Sequence, residues 1–147
     1  MKKIALLFTF MFFSFAGFAQ LEKPITWSFI ARKSGKNEAV IFIKAKLDGK
    51  WHVYAQQIKA EAMKLKFNYA PSKDYTLVGK TTEPKPIKKY DKIVQMELAY
   101  FEKEVVFTQK IKLNKASTTV KAKVEFMVCN DKKCLPSDEI TLNIPVK

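Results

Sequence analysis

The chain has 147 residues, enough for one domain with its own core. Its formal charge of +13 comes almost wholly from lysines spread along the sequence, with Arg32 the lone arginine. Without arginine forks such a charge argues against nucleic acid and fits a solvated lysine surface or attraction to acidic partners.

The first element is a leader, "MKKIALLFTFMFFSFAGFAQ". Lys2 and Lys3 supply a positive start, Ile4 to Phe15 is apolar, and Gly17 and Ala19 place small residues before a cut between Ala19 and Gln20. The apolar run is short for a membrane span and has no basic stop behind it. No cysteine follows it, which argues against a lipid anchor. No later segment is apolar enough to span a bilayer, so the mature chain, residues 20–147, is expected to be a single exported domain without an integral membrane segment. An exported compartment permits disulfides.

After the leader the pattern is β throughout. A short strand fits Thr26–Ala31, and Gly35 in "KSGKN" turns the chain. In Glu38–Leu47 the residues Ala39, Ile41, Ile43, Ala45 and Leu47 share a face. Asp48–Gly49 is a hairpin signal, followed by Trp51–Tyr54. In Ala62–Tyr69, Met63, Leu65, Phe67 and Tyr69 oppose Lys64, Lys66 and Asn68. Tyr75–Val78 follows Pro71. "EPKPIKKYDK", Glu83 to Lys92, reads as a long loop. Val94–Phe101 is a further strand. In Glu104–Leu113, Val105, Phe107, Gln109, Ile111 and Leu113 alternate with Val106, Thr108, Lys110 and Lys112. Val120–Val128 and Ile140–Val146 complete the set. About eight or nine short strands without a useful helix predict an all-β, immunoglobulin-like antiparallel β-sandwich.

Both cysteines lie in "FMVCNDKKCLPSDE", Phe126 to Glu139. Cys129 ends one strand and Cys134 precedes the next, so "NDKK" is expected at a hairpin tip with the cysteines opposed, within disulfide reach. The residues leave three uses open. As a staple the bond is inefficient, because closing so short a loop removes only about 2 kcal/mol of unfolded-state entropy. As a redox pair it is well placed, because a short exposed loop raises the reduction potential and Lys132 and Lys133 favour the thiolate. As a metal clip it lacks ligands, with His52 the lone histidine; Met96 and Met127 add soft sulfur for Cu(I), although methionines beside strands ordinarily just pack. No glycine-rich phosphate loop and no carboxylate pair in an apolar setting supports another enzyme class.

Three stretches, in order, resemble the N-terminal periplasmic domain of the thiol:disulfide interchange protein DsbD. They are "LDGKWHVYAQQI" (Leu47 to Ile58), "YDKIVQMELAYFEKEVVFTQKI" (Tyr90 to Ile111) and "FMVCNDKKCLPS" (Phe126 to Ser137). The resemblance implies an immunoglobulin-like fold with a cap loop over the cysteine-bearing hairpin. It implies that Cys129 and Cys134 cycle between disulfide and dithiol, with no cofactor. It implies a periplasmic domain that takes electrons from a thioredoxin-like donor and hands them to exported oxidoreductases. The matching cap is Pro86–Lys92, with Tyr90 as its aromatic. His52 and Tyr54 match positions lining the family's site, and Pro136 matches the proline after the cysteines. Ser137 stands where the family often has a second proline, and the four-residue spacing is tighter than in some members. The matched region holds neither the family's membrane-embedded reductase domain nor its thioredoxin-like domain, so thioredoxin-like or DsbD-like partners are expected in trans. The readings set against exchange are a non-catalytic β-sandwich interaction module with a structural hairpin disulfide and a Cu(I)-binding accessory protein.

Overall fold

Period-two alternation of apolar side chains with lysine dictates strands with one wet and one dry face, and the chain folds accordingly. The structure, a computed structural model, describes residues 22–91 and 95–147. The expected leader, its cut at Ala19, and Lys92 and Val94 lie outside the described residues.

Eleven strands are described: β1 (Ile25–Gly35), β2 (Glu38–Leu47), β3 (His52–Tyr54), β4 (Lys66–Tyr69), β5 (Tyr75–Thr82), β6 (Ile87–Asp91), β7 (Met96–Glu102), β8 (Glu104–Leu113), β9 (Thr118–Phe126), β10 (Val128–Cys129) and β11 (Asp138–Val146). They form antiparallel sheets in the orders β1-β2-β8-β5, β10-β3-β7-β6 and β11-β9-β4. This is the expected immunoglobulin-like sandwich. At Asp48–Gly49 the predicted tight turn is present, with Gly49 at φ +54° and the Trp51 amide donating to the Asp48 carbonyl at 3.1 Å.

The dry faces predicted from alternation are the core. Ala39, Ile41, Ile43, Ala45 and Leu47 from β2 meet Val105, Phe107, Ile111 and Leu113 from β8 and Val120, Ala122, Val124 and Phe126 from β9. Phe107 is its centre, fully buried, with ring centroids 5.0 Å from Phe67, 5.7 Å from Phe101 and 6.3 Å from Trp27. Gln109 shares this face although it is polar. Its side-chain amide donates to the Lys110 carbonyl at 2.8 Å and the Gly79 carbonyl at 3.3 Å, while its oxygen accepts from Thr81 at 2.9 Å. The Gly79 carbonyl is presented by a bulge in β5 between Val78 and Thr82, where Gly79 takes φ +71°. Tyr69 bonds the same Thr81 hydroxyl at 3.1 Å, and burial pushes its phenol up to about 12.

Three elements differ from expectation. The loop expected over Glu83–Lys92 contains β6, whose Ile87 faces Tyr100 across the β6–β7 pair. Pro84 and Pro86 end just before it, leaving every amide from Ile87 onward able to pair, and its lysines suit an edge strand. The strand expected over Ala62–Tyr69 shrinks to β4, because Glu61–Met63 forms a 3₁₀ turn. There Glu61 holds Lys66 at 2.8 Å and Lys64 at 3.1 Å. The strand expected over Val120–Val128 breaks at Met127, where the chain leaves the β11-β9-β4 sheet and joins β3 as β10.

Truncating Phe107 to alanine should cost about 3–5 kcal/mol of unfolding free energy in urea titration, since three rings pack on it in the core. A loss under about 1 kcal/mol would show that the sheets pack elsewhere.

Candidate functional site

Asparagine at the first position of a turn offers its side chain to the next amides, and Asn130 does so here. Its Oδ1 accepts from the Lys132 and Lys133 amides, both at 2.9 Å, and its own amide donates to the Lys133 carbonyl at 2.8 Å. One step outward, the Leu135 amide donates to the Val128 carbonyl at 2.9 Å. Val128 is buried in the main core and Leu135 packs against it, so both legs of the hairpin are anchored. Between these two rungs Cys129 and Cys134 face each other, Cα atoms 4.0 Å apart, joined as a disulfide.

The two sulfur-bearing residues live in different surroundings. Cys129 is 1% exposed, whereas Cys134 is exposed. Cys129 belongs to a small cluster with Tyr54 and Leu98, against which Met63, Met96 and Met127 pack. The methionines named as soft ligands thus form an apolar floor. Among the described residues no group of three or more His, Cys, Asp or Glu side chains could hold a metal ion.

Strand register builds the walls. Cys129 stands opposite His52, and His52 opposite Glu102; Tyr54 stands opposite Tyr100, and Leu98 opposite Lys89. Alternation puts these side chains on one face of the β10-β3-β7-β6 sheet. With Asn130, Asp131, Lys132, Lys133 and Cys134 they line a cavity of about 360 Å³ that opens beside the disulfide. The His52 ring packs on Tyr100 at 4.6 Å and edge-on to Tyr54 at 5.4 Å. Burial lowers its pKa, Glu102 and Asp131 partly oppose that, and Lys89 adds to it. Lys133 pairs with Glu22 at 2.5 Å.

The structure therefore brings together Cys129, Cys134, His52, Tyr54, Lys132 and Lys133. It does not bring Pro136 or Tyr90 to them. Pro136 is exposed beyond the hairpin and outside the cavity lining. Tyr90, expected over the cysteines, is 61% exposed and lines a separate groove with Ile58, Lys88 and Met96. The reason is parity: in a strand, neighbours point to opposite faces, so Lys89 reaches the cysteine cavity and Tyr90 cannot. Sequence reasoning missed Asn130, Lys89, Leu98, Tyr100 and Glu102. Asn130 was readable as a turn residue; the others depend on a pairing register that a single strand does not reveal.

The family described as "Thiol:disulfide interchange protein DsbD, N-terminal" matches residues 20–145. The chain belongs to this family. As a member of the DsbD N-terminal family it is a thiol–disulfide interchange domain with a disulfide pair. Solved structures share its fold. The N-terminal periplasmic domain of ScsB from Proteus mirabilis is 18% identical, with a TM-score of 0.62, covering 83% of this chain and 46% of that one. The chain therefore spans less than half the length of that ScsB structure. The DsbD N-terminal domain of Neisseria meningitidis in its reduced form is 14% identical, with a TM-score of 0.51, covering 79% of this chain and 82% of that one. The complex of the DsbD and PilB N-terminal domains from the same organism gives 13%, 0.50, 78% and 80%. No curated protein matches the chain by sequence. Among the described residues no helix is long and apolar enough to cross a membrane.

Because His52 has a lowered pKa, the unfolded chain binds its proton more tightly than the folded one. Stability should therefore rise with pH from the depressed folded value up to the ordinary 6.5, and fall as pH drops through that window. His52→Gln should flatten this slope in urea titrations across the window; an unchanged slope would mean that His52 titrates normally.

Proposed function

We propose that the domain passes electrons between a thioredoxin-like donor and other exported oxidoreductases, through the Cys129–Cys134 bond. The observation that carries this is the asymmetry of the pair: one sulfur-bearing residue is exposed at an open cavity and the other is buried beneath it. A docking thiolate reaches Cys134. It attacks the Cys134 sulfur, the Cys129–Cys134 bond breaks, and Cys129 leaves with the electron pair as a thiolate. The donor's second thiol then attacks its own sulfur in the mixed disulfide and releases Cys134. The donor ends as a disulfide and this domain as a dithiol, two electrons richer. The reverse sequence on an oxidised acceptor delivers those electrons.

In this reading the mature domain, residues 20–147, works in the periplasm after removal of residues 1–19. The solved complex between a related DsbD N-terminal domain and a PilB N-terminal domain supports docking with a partner domain. Lys132, Lys133 and Lys89 around the cavity favour the thiolate that each step releases. The β6–β7 hairpin borders the cavity through Lys89, so the segment taken as a cap acts through that residue and not through Tyr90.

Trapping tests the order of attack. Cys129→Ser should hold a thioredoxin-like partner on Cys134 as a mixed disulfide, visible by mass under non-reducing conditions. Cys134→Ser should trap at least tenfold less, because Cys129 is buried. Equal trapping, or trapping on Cys129 alone, would contradict the assignment.

A further inference from the structure

Three neighbouring strands of one sheet place a cysteine, an imidazole and a carboxylate in one line: Cys129 on β10, His52 on β3 and Glu102 on β7 are consecutive register partners. All three line the same cavity. On the exchange reading above, from which this inference follows, we propose that His52 carries the proton of Cys129, with Glu102 setting the basicity of the imidazole.

The need for such a group comes from burial. A thiol at 1% exposure resists ionisation, yet it must become a thiolate to resolve a mixed disulfide held on Cys134. The groups facing His52 are Tyr54 on its own strand, Tyr100 and Glu102 on β7, Lys89 on β6, and Asp131, Lys132 and Lys133 on the turn. A lysine side chain offers donors and no acceptor, and a phenol is a weak base. Of the two carboxylates, Glu102 is separated from Cys129 by the His52 strand and Asp131 is exposed at the turn. His52 is the lone histidine of the chain and the group directly across from Cys129. Its ring is held between Tyr54 and Tyr100, so it keeps its station when the disulfide opens.

The step balances. The Cys129 S–H bond gives its proton to the neutral imidazole. The resulting thiolate attacks the Cys134 sulfur, the Cys129–Cys134 bond forms, and the partner leaves as a thiolate with the electron pair of the broken bond. In the opposite direction the partner thiolate attacks Cys134, and the Cys129 thiolate that departs takes the proton back from the imidazolium.

The test uses the reduced protein and 5,5′-dithiobis(2-nitrobenzoate). The first equivalent of thionitrobenzoate reports formation of the mixed disulfide on Cys134, and the second reports attack by Cys129. In the native protein the second phase should show an inflection below the ordinary imidazole value of 6.5, because burial lowers the His52 pKa. His52→Gln should slow that phase on the order of 10²-fold at pH 7 and remove the inflection, while leaving the first phase within about twofold. Glu102→Gln keeps the imidazole and removes a charge that raises its pKa, so the inflection should move to lower pH. A second phase with the same rate and pH profile in His52→Gln, or an inflection unmoved in Glu102→Gln, would overturn the proposal while leaving disulfide exchange intact. A native protein that releases only the first equivalent would overturn the exchange reading and this inference together.

Discussion

Two residues of strand, Val128 and Cys129, decide where the chemistry sits. The long β9 spends its hydrogen bonds on β4 and β11 and then breaks at Met127. What remains of it pairs with β3 instead. Val128 is locked into the main core, and the next side chain, Cys129, must by alternation point to the other face. That face belongs to His52, Tyr54, Tyr100 and Leu98. The turn made by Asn130 then returns the chain at the one position that places Cys134 opposite Cys129. Shifting the β10 register by a single residue would bury the wrong side chain and put the sulfur in the sandwich core.

The sandwich does not need the bond that it carries. Cys129 sits in the small satellite cluster, and the main core is built from apolar side chains of β2, β8, β9 and β11. A disulfide outside the main core that closes a four-residue turn adds little to stability, so its opening and closing leave the scaffold intact. The hairpin legs are anchored through Val128 and Leu135, while the tip with Lys132, Lys133 and Cys134 is exposed. Rigid legs with an accessible tip suit a group that must be presented to a partner in a fixed orientation.

Much of this was legible in the sequence. Alternation located β2 and β8 residue for residue and picked out the core face that includes Gln109, although nothing in the pattern explained the glutamine. The Lys110 carbonyl of β8 and the Gly79 carbonyl of the β5 bulge satisfy it. The hairpin, its opposed cysteines and the neighbourhood of His52 and Tyr54 could be read from strand ends and from family resemblance. Tyr90 could not. Its placement turned on whether Ile87–Asp91 is a loop or a strand, and the prolines at 84 and 86 suggested a loop. Once the segment pairs with β7, parity sends Tyr90 to one face and Lys89 to the other. Glu102 and Tyr100 were hidden for a related reason: their meeting with His52 and Tyr54 is a fact of pairing between strands about fifty residues apart in sequence.

Electron transfer through this domain requires that the Cys129–Cys134 bond be exchangeable. Equilibrating the protein against glutathione redox buffers and counting free thiols measures its reduction potential directly. An exchange domain should titrate near roughly −200 mV, within the range of known thiol–disulfide oxidoreductases. A bond that stays closed below about −300 mV would be a structural staple and would contradict an exchange role.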